Sequence, residues 1–200
     1  MTSFHKFSSK DWYRNSETMS DRVDLAKFCN TLRLTGKAVE IGVHLGHYSK
    51  DFLSVWQGQE YFCVDPWDYI EGYTEHGIER VDSKSREEHF VQFCSNLSEH
   101  WERIRVQRCL SQEAAKIHRE KGTQFDFVYI DADHSYERVC EDIDLWYPLC
   151  KKHGIFAGHD FFNGKMTGPR QAVYEKLYLD RGYVPTVIAG DAWSWYIAKR

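Results

Sequence analysis

The side chains best suited to chemistry in this 200-residue chain fall in a few short stretches. Lys37 to Ser49 is an apolar run interrupted by Glu40, broken by Gly42 and Gly46, and carrying His44 between them. Glycines at such a turn let the backbone take positive φ and approach a ligand closely, while the free N–H groups of a following helix point into the same space. Glu40 stands where a strand pattern wants an apolar residue, and a carboxylate is costly to bury without a partner. Asp65 follows the glycine turn by about twenty residues, the separation at which a βαβ unit brings an acid within reach of a ribose hydroxyl pair. Asp131-Ala-Asp-His134-Ser-Tyr-Glu137 is the densest polar cluster of the chain, and His159-Asp160 is a smaller one. Carboxylates and imidazoles at such positions can move protons or hold a divalent cation. Glycines also end strands, and aspartates open turns before proline, for purely structural reasons, so each signal counts only in company.

The elements that must position these groups alternate. An amphipathic helix carrying Leu25, Phe28, Cys29 and Leu32 precedes the strand Ala38–Ile41, and Tyr48, Phe52 and Val55 recur at helical spacing over 47–57. Glu60 to Val64 reads as a second strand, ended by Asp65 and Pro66. Residues 66–82 are long, aromatic and irregular for a connection inside a compact domain, which marks them as a substrate or cofactor lid. Ser85-x-x-Glu88 is a capping box for a helix with Phe90, Cys94, Leu97 and Trp101 on its core face. Ile104–Gln107 is a third strand, with Ser111 the expected N-cap of the helix that follows. Phe125–Ile130 is a fourth strand leading into Asp131, and Val139, Ile143, Trp146 and Cys150 mark the next helix. Gly154–Gly158 is a fifth strand ending at His159-Asp160, and a helix over Pro169–Arg181 and the segments Val184–Ile188 and Trp193–Ala198 close the chain.

This order implies right-handed βαβ crossovers and an α/β fold, a doubly wound, mostly parallel sheet. Residues 1–19 show no sustained period and read as an N-terminal arm, leaving 20–200 as one domain, the expected number at this length. A net charge of −4 and a pI near 6.2 give no basic footprint for nucleic acid. Six cysteines without a C-x-x-C pair suit reduced core thiols. No stretch is long and apolar enough for a membrane span, and the polar N-terminus does not resemble a signal peptide, so a soluble, cytoplasmic protein is expected. A homodimer is one option for its assembly.

Ligands of such sheets bind outside the carboxyl ends of the strands. Glu40, Asp65, Asp131 and Asp160 would converge there, and each pair of like charges costs on the order of a kcal/mol at intermediate dielectric. A pyrophosphate would be repelled by these acids, whereas the sulfonium and ammonium of S-adenosylmethionine would be welcome. The Gly-x-Gly-x-x-Gly spacing of dinucleotide sites is missing, and no Tyr-x-x-x-Lys pair supports a short-chain oxidoreductase.

On these residues the chain resembles the class I S-adenosylmethionine-dependent methyltransferases. Glu40-Ile-Gly-Val-His-Leu-Gly46 is similar to the family's first motif, Asp65 to its ribose-binding acid, Leu110-Ser111 to its adenine-flanking turn, and Ile130 to Tyr136 to the motif after its fourth strand. Asp131 to Tyr136 together with Gly158-His-Asp160 is most similar to small-molecule O-methyltransferases, of the catechol type and of macrolide and aminocoumarin sugar pathways. The resemblance implies a Rossmann-like, seven-stranded sheet with an antiparallel last strand. It also implies methyl transfer to a hydroxyl of a small molecule, with a catalytically inactive cofactor-binding module as the alternative.

The same resemblance assigns roles. Gly42 and Gly46 would let the backbone pass the methionine portion, Glu40 and His44 would lie near its ammonium and carboxylate, and Asp131 would border the donor. Asp65 would take the ribose hydroxyls, while Trp67 and Leu110 would sandwich the adenine with Ser111 at its edge. For catalysis two arrangements are open. Asp131 and Asp160, with His159, would hold a divalent metal, Mg²⁺ or, given the imidazole, Mn²⁺, Fe²⁺ or Zn²⁺. Alternatively His134 would act as general base without a metal. Trp12, Tyr13, the 66–82 loop and Phe161 to Thr167 would read the acceptor.

Overall fold

The structure is a computed structural model that describes residues 11–68, 74–75, 78–79, 83–162, 167–190 and 193–200. In chain order the elements are β1 (Arg14–Asn15), α1 (Asp24–Thr31), β2 (Lys37–Ile41), α2 (His47–Val55), β3 (Glu60–Val64), β4 (Thr74–Glu75), β5 (Ile78–Glu79), α3 (Ser83–Asn96), β6 (Ile104–Gln107), α4 (Ser111–Glu120), β7 (Phe125–Ile130), α5 (Tyr136–Trp146), β8 (Cys150–Gly158), α6 (Gly168–Val173), β9 (Thr186–Ile188) and β10 (Ser194–Ala198). A wider π-type turn over Tyr174–Leu179 continues α6. The capping-box helix thus starts at Ser83, ahead of Ser85, and the fifth expected strand begins at Cys150.

Among the described residues eight strands form one sheet in the order β1-β9-β10-β8-β7-β2-β3-β6, and β4 and β5 form a separate pair. Neighbours from β6 to β8 run parallel, and β10 is antiparallel to both β8 and β9, as expected for the chain's last strand. The strand beyond the expected seven is β1. Arg14 and Asn15, from the segment read as an arm, pair parallel with Thr186 and Val187 at the sheet edge. Trp12 and Tyr13 are buried beside them, Trp12 packing on Phe161 and Tyr174 with ring centroids 5.3 and 5.0 Å apart. These two aromatics are therefore core residues.

Side chains alternate across β2, sending Ala38 into one core and Val39 and Ile41 into the other. Strand β7 is buried at every position, as a central parallel strand must be. Helix α2 is fixed over it by stacked rings, Phe52 on Phe127 at 4.6 Å and Tyr48 on Tyr129 at 4.1 Å. Each such fully buried aromatic contributes about 2–3 kcal/mol, and together they hold the glycine turn rigidly above the sheet. Chain order runs outward from β2 through β3 to β6 on one side and through β7 to β8 on the other. The winding therefore switches between β2 and β7, which is where an open α/β sheet leaves a crevice. All six cysteines are unpaired thiols. Among the described residues no helix is long and apolar enough to cross a membrane.

Candidate functional site

The turn after β2 carries three left-handed residues, Gly42 at φ 85°, His44 at 52° and Gly46 at 73°. A Cβ on Gly42 would lie 2.2 Å from the Asp131 carbonyl oxygen, so the turn presses on the end of β7 as only glycine can. A Cβ on Gly46 would instead meet Phe93 at 2.9 Å and Leu97 at 3.0 Å. That glycine serves the packing of α3 and lies outside the cavity wall.

Asp65 closes the turn. Its Oδ2 accepts hydrogen bonds from the Val43 and His44 N–H groups at 3.0 and 2.9 Å, and its Oδ1 accepts from the Trp67 N–H at 2.8 Å. Trp67, at φ 42°, folds back so that its indole Nε1 donates to the His44 carbonyl at 2.7 Å. Its ring is 2% exposed and packs on Phe93 and Phe90. Trp67 is thus a brace behind the turn and forms no part of the cavity wall, which corrects its expected place against an adenine.

Glu40 resolves as a buried acid paired with neutral groups. Its Oε2 accepts from the Tyr61 hydroxyl at 2.7 Å and from the Ser49 hydroxyl. Burial raises the carboxyl to about 8, against these two hydrogen bonds. At the other end, α4 begins at Ser111 itself with Leu110 as its N-cap, so Ser111 does not cap the helix with its side chain. The Ser111 hydroxyl donates to Asp142 Oδ1 and accepts from the Trp146 indole at 2.8 Å. Asp142 is 4% exposed, and burial lifts its carboxyl to about 7.

These groups border one cavity of about 500 Å³, large enough for a nucleoside-sized ligand. Glu40, Gly42, His44, Asp65, Leu110, Ser111, Asp131 and His134 all line it, as do Arg22, Tyr48 and Asp142, which sequence reasoning missed. Asp142 was visible in principle, because Val139, Asp142, Ile143 and Trp146 form one helical stripe in which it is the only acid. Arg22, in the turn before α1, carried no comparable signal.

At the β7 end the cavity meets the second cluster. His134 Nε2 lies 2.7 Å from Asp160 Oδ2, and His159 Nδ1 lies 3.3 Å from the same oxygen. Asp131 Oδ1 lies 3.6 Å from His159 Nδ1 and 3.9 Å from His134 Nε2, while its Oδ2 faces Arg22 Nη1 at 3.5 Å. Burial alone would lower both imidazoles, but the hydrogen bonds to Asp131 and Asp160 outweigh it and push each up to about 10. Burial would raise the Asp160 carboxyl, yet the two imidazoles hold it well below the usual range. Asp160 sits at φ 56°, one residue beyond the His159 that follows β8. Ligand atoms of Asp131, His134 and Asp160 all lie within 4.8 Å of one another. The expected metal set placed His159 there and kept His134 apart as a base, whereas the structure brings His134 the nearer of the two to Asp160. Much of the 66–82 stretch and residues 163–166, expected to meet the acceptor, lie outside the described residues.

Residues 39–161 match a family described as "Methyltransferase domain". Among similar solved structures, a calicheamicin methyltransferase shares 18% identity, over 88% of this chain and 76% of that one, with a TM-score of 0.62. An O-methyltransferase from Bacillus cereus solved with S-adenosylhomocysteine shares 13% over 98% and 88%, with a TM-score of 0.62. The O-methyltransferase TomG from Streptomyces achromogenes, of tomaymycin synthesis and solved with S-adenosylmethionine, shares 13% over 98% and 86%, at 0.60. No curated protein matches the sequence.

Proposed function

The chain belongs to the methyltransferase-domain family, and on that premise we propose that it transfers a methyl group from S-adenosylmethionine to a hydroxyl of a small molecule. The observation that carries this reading is that the 500 Å³ cavity ends on Asp131 and His134, beside Asp160. The sheet order supports an order for the ligand's parts. Leu110 and Ser111 after β6 take the adenine end, Asp65 after β3 the ribose, and the Gly42 turn after β2 the amino acid, leaving the reacting carbon toward β7. Asp65 Oδ1 accepts one N–H bond and keeps a lone pair for a ribose hydroxyl. S-adenosylmethionine supplies a methyl carbon already activated by its sulfonium. The chain's own task is then to align the acceptor oxygen and take up its proton. The likeness to enzymes of calicheamicin and tomaymycin synthesis supports a small-molecule acceptor.

The donor set also fits a divalent cation. Asp131, His134 and Asp160 would hold it with His159 beside them, and two imidazoles favour Mn²⁺, Fe²⁺ or Zn²⁺ over Mg²⁺. Such an ion supplies a lowered pKa at the acceptor hydroxyl. The 2.7 Å contact between His134 and Asp160 supports a second arrangement, in which the carboxylate orients His134, and the imidazole acts as the base once it has lost the proton that this pairing holds on it.

Calorimetric titration tests the donor assignment. Binding of S-adenosylmethionine that Asp65→Ala abolishes is expected, and binding of nicotinamide dinucleotides instead would overturn it. With an acceptor identified from a hydroxyl-bearing panel, loss of turnover in EDTA and its return with Mn²⁺ is expected; full rate in EDTA would favour the metal-free base. S-adenosylmethionine binding without turnover on any acceptor would point to an inactive binding module.

A further inference from the structure

An amino-acid carboxylate entering this cavity meets Glu40, Asp65 and Asp131, so it needs a cation at the β2 and β7 end. Arg138 borders the cavity from α5 but is tied to Glu141 at 2.9 Å, and Arg86 borders it from α3, the helix that follows β3 and not the β2 and β7 end. Arg22 stands at the required end. Its guanidinium lies 5.0 Å over the Tyr48 ring and 3.5 Å from Asp131 Oδ2, and its side chain is 24% exposed. The turn that carries it is fixed by local hydrogen bonds. Asp24 Oδ2 accepts from the Ser20 and Asp21 N–H groups at 3.0 and 3.2 Å, and Asp21 Oδ1 accepts from the Val23 N–H at 2.8 Å. A guanidinium offers five N–H donors in a planar fork, more than the Asp131 carboxylate at 3.5 Å and the Tyr129 hydroxyl, which also draws on it, can occupy together.

We infer that Arg22 receives the α-carboxylate of the methyl donor. The inference rests on the methyltransferase reading and names the partner of one part of that ligand. The Tyr48 ring limits the guanidinium's freedom by a cation–π contact, and Asp131 holds its far edge, so the fork is oriented before the ligand arrives. A charged pair of this kind is shorter and stronger than a neutral hydrogen bond.

The test pairs two ligands with three proteins in calorimetry: S-adenosylmethionine and its decarboxylated analogue, against the wild type, Arg22→Gln and Arg22→Lys. The wild type should prefer the carboxylate-bearing ligand by at least about tenfold. Arg22→Gln should lose roughly 10- to 100-fold for S-adenosylmethionine and stay within about threefold for the analogue, with Arg22→Lys between. Equal loss for both ligands would make Arg22 a structural partner of Asp131 and overturn the inference, as would a wild type that binds both ligands alike. A wild type that shows no preference overturns the inference even if the variants do not fold. Failure of the wild type to bind either ligand would instead refute the methyltransferase reading.

Discussion

Replacing Glu40 by Gln should make the ligand-free protein more stable and its donor binding weaker. The Glu40 carboxyl, ordinarily near 4.5, is raised to about 8 by burial, so the folded state holds a proton that the unfolded chain releases. Between those values the native protein binds more protons than the unfolded one, and stability therefore falls as pH rises through the window. At about 1.4 kcal/mol per pH unit, the interval from 4.5 to pH 7 removes at most about 3 kcal/mol. A glutamine carbonyl can still accept from Ser49 and Tyr61, so the substitution keeps both hydrogen bonds and eliminates the titration. For a chain of this length that corresponds to a rise in Tm of roughly 5–10 °C at pH 7. The assay is thermal unfolding of both ligand-free proteins from pH 5 to 8.5, taken as a difference so that other titrating groups cancel. The gap should widen with pH and level off above about 8. Parallel pH profiles, or a variant less stable than wild type at pH 7, would refute the argument. S-adenosylmethionine affinity should fall, because the donor's ammonium loses a carboxylate that it would otherwise help to ionise.

Gly42→Ala places a Cβ 2.2 Å from the Asp131 carbonyl at φ 85°, and should cost about 2–4 kcal/mol together with donor binding. Gly182→Ala, at φ 68° with open space around it, should cost only about 1 kcal/mol in chemical denaturation and leave binding intact. Trp67→Phe removes the donor to the His44 carbonyl, and should lower stability by about 1–2 kcal/mol and weaken S-adenosylmethionine binding by calorimetry without touching the ligand. Ser111→Ala strips Asp142 of the hydrogen bond that opposes its burial and leaves the Trp146 indole without that acceptor. A loss of about 1–3 kcal/mol is expected in thermal unfolding, growing as pH rises through 7.

The sheet was readable because its central strands are written plainly: Phe125–Ile130 is apolar but for Asp126 and bounded by polar residues, and Asp65 and Asp131 mark where strands end. The unread parts depend on distance along the chain or on backbone sign. The pairing of Arg14 with Thr186 joins residues far apart in sequence, and nothing local announces it. Trp67 follows Asp65 closely enough to suggest a place against the adenine, but its left-handed φ turns the ring behind the glycine loop. His134 and His159 are equally good ligands on paper. Only the turn at Asp160 shows which of them its carboxylate faces more closely.

Asp131 is the residue through which the two halves of the site meet. Strand β7 lies between β2, whose turn shapes the cavity, and β8, whose end carries His159 and Asp160. A carboxylate has two oxygens pointing apart, and here each serves one side: Oδ2 faces Arg22 in the cavity, and Oδ1 faces the two histidines. An amide at this position would offer one acceptor and set a donor against either the guanidinium or the imidazoles. A glutamate would carry the carboxylate one methylene further, away from one set of partners as it approached the other. The close approach of Gly42 to the Asp131 backbone fixes where that side chain starts. A bare glycine at the end of β2 and a short acid at the end of β7 are therefore one requirement, that a single carboxylate reach two sites on adjoining strands of the same sheet edge.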